Sequence, residues 1–115
     1  MKKLLLSILI LGSSLIADHI TFWQINKVRS NDVLNIRSES IYTSKKISTI
    51  PFNEICVKNY GCGKDIELEP MMKMQEDEVK AFLAQAQEGW CFIEYQGNKG
   101  WVNKTFVKES TRTCN

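Results

Sequence analysis

Val33-Leu34-Asn35-Ile36-Arg37-Ser38 alternates apolar and polar side chains. In a strand, successive side chains point to opposite faces, so Leu34 and Ile36 share one face and Asn35 and Arg37 the other. The apolar face is expected to point into a small core. Outward from this stretch the character persists. Ile20 to Val28 is a β-branched and aromatic run, Asn31-Asp32 a turn signal, Ser38 to Lys46 a polar loop, and Ile47 to Ile50 a further short strand. Pro51, without an N–H, fits a strand boundary, and Glu54 to Tyr60 reads as a strand carrying Cys56. Trp90 to Tyr95, the turn residues Gln96-Gly97-Asn98-Lys99 and the return strand starting at Gly100-Trp101-Val102 make the clearest hairpin. Thr105 to Lys108 is a last strand-like piece. A mainly β domain is expected.

Between Tyr60 and Gly89 the pattern changes. Gly61 to Lys64 reads as a turn, and Glu69 to Glu88 has helical composition, with Pro70 near its start and Gly89 just past its end. Met72, Val79, Phe82, Leu83 and Ala86 recur at helical spacing, an apolar stripe expected to lie on the domain's own sheet or, alternatively, on a partner. Residues 65–88 hold seven carboxylates against Lys73 and Lys80, which a solvated helix face explains.

The chain has 115 residues, 43 % hydrophobic and 24 % charged, values of one small globular domain that exclude a disordered, collagenous or multi-domain chain. Residues 1–17 combine Lys2 and Lys3, an apolar run from Leu4 to Leu11 and a closing Leu15-Ile16-Ala17, the pattern of a cleavable signal peptide. The run is too short to span a bilayer and no Cys follows it for lipid attachment, so no membrane span is expected after processing at Asp18. Without residues 1–17 the 15 Lys and Arg drop to 13, against 13 Asp and Glu, so no global field draws nucleic acid. Cys56, Cys62, Cys91 and Cys114 all fall in the exported part and read as two disulfides stapling a small core in a periplasmic or secreted protein.

Trp23-Gln24-Ile25-Asn26-Lys27-Val28, Asp32 to Ser38, Ile47-Ser48-Thr49-Ile50-Pro51, Gly89 to Tyr95 and Gly100-Trp101-Val102 together resemble the bacterial SH3-like (SH3b) domain family over about residues 20–108. The Leu-Asn-Ile-Arg-Ser element and the paired Gly-Trp dipeptides carry the resemblance. It implies a small SH3-like barrel spanning residues 18–115, with one inserted α-helix in a hairpin (insert about 61–88). There are two departures: Glu39-Ser40 stands where the family usually has a Gly-Pro turn, and the insert replaces a short hairpin. Four cysteines allow three pairings; the strand order implied by the resemblance favours Cys56 with Cys91 and Cys62 with Cys114, although Cys62 is close enough in sequence to Cys56 to compete for either partner.

The chemistry on offer is narrow. The one histidine, His19, falls at the expected mature terminus, where a base is not held in place, and no Cys-x-x-Cys pair marks a metal or redox site. No catalytic residue, metal ligand or cofactor is expected. Aromatic rings remain: Tyr42, Trp90, Tyr95 and Trp101 beside Arg37 are the candidate ligand-binding set, although hairpin packing is the favoured reading of Trp90 and Trp101, which leaves Tyr42, in the polar loop, the better ligand candidate. The resemblance implies a non-catalytic module for a cell-wall (peptidoglycan) peptide or an envelope protein. The alternatives are an inhibitor of a secreted hydrolase and an assembly subunit docking through the inserted helix and its Met71, Met72 and Met74.

Overall fold

The structure is a computed structural model and describes residues 21–66 and 75–114. The expected signal peptide, the start of the inserted helix at 69–74 and the three methionines of the insert lie outside the described residues. In chain order the elements are β1 (Thr21–Ile25), β2 (Val33–Arg37), β3 (Lys46–Pro51), β4 (Val57–Cys62), β5 (Asp65–Ile66), helix α1 (Glu76–Gln85), β6 (Trp90–Tyr95), β7 (Asn98–Asn103), a 3-10 turn (Lys104–Phe106) and β8 (Val107–Glu109). The protein is mainly β. All ladders are antiparallel, in the order β3-β2-β7-β6-β4-β1-β8, with β5 added to β4. Among the described residues β3 and β8 end the sheet, and no ladder joins them.

Alternation in β2 follows the sequence: Leu34 and Ile36 are buried and Asn35 and Arg37 half-buried. These two residues join Ile25, Ile50, Val57, Cys91, Ile93, Val102 and Val107 in the main core. The β6–β7 hairpin turns on Gln96 and Gly97, both at positive φ (50° and 82°), so the loop has two residues and β7 already starts at Asn98. Gly100 sits where β2 meets β7. A Cβ there would lie 2.5 Å from Ile36 Cγ2 and 2.7 Å from the Arg37 carbonyl oxygen, so only glycine lets the two strands approach.

β6 is buried on both faces. Cys91 and Ile93 face the main core, while Trp90 and Phe92 belong to a second cluster with Tyr60, Trp101 and Ala86. Helix α1 covers that second face through Phe82, whose ring meets Phe92 edge-on at 4.8 Å and stacks on Trp101 at 5.3 Å. Of the expected apolar stripe, Phe82 and Ala86 therefore lie on the chain's own sheet. The helix ends at Gln85, earlier than the expected Glu88, and the last turn is closed by Ala86 N–H donating to Leu83 O.

The disulfides correct the expected pairing: Cys62 bonds Cys91 and Cys56 bonds Cys114. The reason is register. β4 starts at Val57 and runs on to Cys62, which faces Cys91 directly across the β4–β6 ladder. Lys58 already faces Glu94, so Cys56, before β4 begins, falls beyond the β6 strand and meets the C-terminal tail instead. A register shift between Asn59 and Gly61 adds the extra residue, and the buried Asn59 side chain accepts the Gly61 N–H at 2.8 Å across it.

Candidate functional site

A groove of about 360 Å³ opens where the β1–β2 loop, the β3-side loop 38–45 and the 3-10 turn converge. Hydrogen bonds hold each wall, backbone to backbone on one and side chain to backbone on the other. Asn26 N–H donates to Phe106 O at 2.8 Å, joining the first loop to the 3-10 turn, and Asp32 N–H donates to Arg29 O at 3.0 Å to close the loop's own turn. Lys27 stands between them at φ 59°, a left-handed conformation that is unfavourable for a lysine and held here by the bonds on either side. On the other wall, Arg37 Nη1 donates to Ser44 O at 3.0 Å, and Ser44 Oγ bridges Glu39 O and Ile41 O.

Three of the five candidate residues meet in this groove: Arg37, Tyr42 and Trp90. Tyr42, 62 % exposed, stands edge-on to Trp90 with ring centroids 5.2 Å apart. Its hydroxyl accepts from Asn103 Nδ2, and Asn103 Oδ1 in turn accepts the Thr105 N–H at 2.9 Å, so the 3-10 turn positions the tyrosine.

Trp101 and Tyr95 stand elsewhere. Trp101 is buried in the second cluster beneath α1. Tyr95, at the far end of β6, donates its hydroxyl to Glu54 Oε1 at 3.0 Å, while Glu54 Oε2 accepts the Cys56 N–H at 3.1 Å. Burial raises the Tyr95 phenol above its ordinary pKa, and the hydrogen bond to Glu54 and that carboxylate's charge add to the rise. The related pair Tyr60 and Glu94 sits on the opposite face of the sheet from the main core.

The groove also takes Lys27, Arg29, Asn103 and Phe106, none of them in the expected site. Lys27 and Phe106 are 79 positions apart, and no local pattern joins them. The cations Lys27, Arg29 and Arg37 line the groove against one carboxylate, Asp32, whose Oδ1 accepts the Val33 N–H at 2.8 Å. All four cysteines are in disulfides, and no three His, Cys, Asp or Glu side chains stand together as a metal site among the described residues. No protein-family model matches the chain, and no curated protein is significantly similar to it.

Proposed function

We propose that the chain is an exported, non-catalytic binding module of SH3-like design that holds a peptide segment, from the cell wall or an envelope protein, in the groove beside Tyr42. The observation that carries this reading is the convergence of Arg37, Tyr42 and Trp90 on one opening: an exposed ring, an apolar floor and a planar cation. The small antiparallel sheet supports the SH3-like reading. Two disulfides fit an oxidising compartment, periplasmic or extracellular, and no described helix is long and apolar enough to cross a membrane. Docking through the described part of the helix is disfavoured, since Phe82 and Ala86 are taken up by the chain's own sheet.

Backbone amide shifts of the oxidised protein, followed during titration with soluble wall peptides and with peptides of envelope proteins, test the reading. Residues around Leu34, Arg37, Tyr42 and Asn103 are expected to move together. Tyr42→Ala is expected to weaken binding by about 1–2 kcal/mol. Shifts confined to α1 would move the recognition surface to the insert.

A further inference from the structure

We propose that the groove selects an acidic protein segment that offers one large apolar side chain between its carboxylates. This inference rests on the peptide-binding reading and adds the chemistry of the ligand. The lining is lopsided in charge, with three cations to one carboxylate, and Asp32 already accepts a backbone N–H. Arg37 is tethered at one nitrogen: a guanidinium carries five N–H groups, and the bond to Ser44 O uses one of them, which leaves donors at the groove for a carboxylate. Lys27 and Arg29 are exposed on the facing loop, so a segment crossing the groove meets positive charge on both sides.

Between the cations the surface is apolar. Leu34 and Trp90 line it as buried side chains, and the exposed Tyr42 ring stands edge-on to Trp90. A volume of about 360 Å³ falls at the small end of ligand pockets, enough for one bulky side chain and its neighbours rather than a folded surface. Stem peptides of a bacterial wall have carboxylates but no large apolar side chain, so a protein segment fits both halves of the lining better. A polynucleotide would also meet cations and rings, but the exported chain has balanced charge and exerts no long-range pull on a polyanion.

Calorimetric titration of the full oxidised protein with matched probes tests this. Three capped octapeptides share a central leucine and differ only in its flanks, two glutamates, two glutamines or two lysines. The fourth probe is a soluble wall tetrapeptide, and the fifth a single-stranded octanucleotide. The glutamate peptide is expected to bind about tenfold more tightly than the glutamine peptide, with the preference shrinking as salt rises from about 50 to 300 mM. The lysine peptide is expected not to bind, and Lys27→Gln with Arg29→Gln to bring the glutamate peptide close to the affinity of the glutamine peptide. Equal binding of the glutamate and glutamine peptides would overturn the acidic selection and leave the peptide groove standing. Equal or tighter binding of the wall tetrapeptide or the octanucleotide would overturn the choice of a protein segment. If no probe gives binding heat, and none shifts the amide signals of Tyr42 and Asn103 when the same titrations are followed by NMR, both this inference and the groove reading fall.

Discussion

Ser40 Oγ donates to the carbonyl oxygen of Gln85 at 2.7 Å, tying the loop that carries Tyr42 to the last turn of α1. Ser40 is 5 % exposed, although it belongs to a polar loop. The last carbonyls of a helix lack intrahelical partners, and α1 has no basic residue of its own there. Two outside groups supply the need: Ser40 at Gln85 O, and Lys64 Nζ, which donates to Leu83 O at 3.0 Å. At the other end Glu78 Oε1 accepts the Gln75 N–H at 2.9 Å, and Glu76, Asp77 and Glu78 complement the positive end of the helix dipole, a local reason for much of the insert's acidity. The Glu39-Ser40 loop and the inserted helix thus touch each other.

Ser40→Ala leaves the Gln85 carbonyl without this partner and is expected to destabilise the protein by about 1–2 kcal/mol. Hydrogen exchange is the more specific readout. Amides of α1 and of the 41–44 loop should exchange faster together, with β2 and β3 unchanged.

Gly100→Ala places a methyl group against Ile36 and the Arg37 carbonyl, where the nearest atoms stand 2.5 and 2.7 Å from an ideal Cβ. Strand β2 must retreat from β7, at an expected cost of about 2–3 kcal/mol in chemical denaturation. Because Arg37 pairs with Trp101 at this crossing, peptide binding should weaken as well.

Non-reducing peptide mapping should return Cys56 with Cys114 and Cys62 with Cys91. Cys91 is fully buried while Cys56 and Cys114 are half-buried, so mild reductant should open the bond to the tail first. Replacing Cys62 and Cys91 together by serine is expected to cost about 2–5 kcal/mol.

Alkali should act through two tyrosines. Burial raises the Tyr60 phenol far above its ordinary value of 10.0, and its hydrogen bond to Glu94 and that residue's charge push the same way. Tyr95 is raised for the same reasons through Glu54. A raised folded pKa means that the native state holds the proton more tightly than the unfolded chain. Stability from these two groups is therefore complete below pH about 10 and declines as pH climbs above it. Thermal melts between pH 9 and about 12 should show the decline, and Tyr60→Phe should flatten it.

Elements set by short-range pattern were legible in the sequence. Leu34 and Ile36 face inward because β2 obeys a period of two, and the hairpin turn announces itself by Gly97. Strand β5 is two residues, Asp65 and Ile66, that exist only through pairing with β4 and have no signal of their own. The unbroken apolar run Trp90-Cys91-Phe92-Ile93 was the readable sign that β6 is covered on both faces, since a strand with one wet face alternates. Disulfide pairing depended on a register that Asn59 shifts by one residue, which strand order alone does not specify. At the groove, Arg37, Tyr42 and Trp90 stood out by residue type. Lys27 and Phe106 did not, because what joins their loops is the backbone bond from Asn26 to Phe106.

The two disulfides are nested, the 62–91 bond inside the 56–114 bond, and the helix lies wholly within the inner covalent ring. A protease that cuts once between Cys62 and Cys91 therefore releases nothing, and the severed halves remain a single covalent molecule until the cystines are reduced. The same ring clamps the base of the insert where β4 meets β6, so a change of length within the segment need not part those two strands as long as Phe82 and Ala86 still cover the sheet.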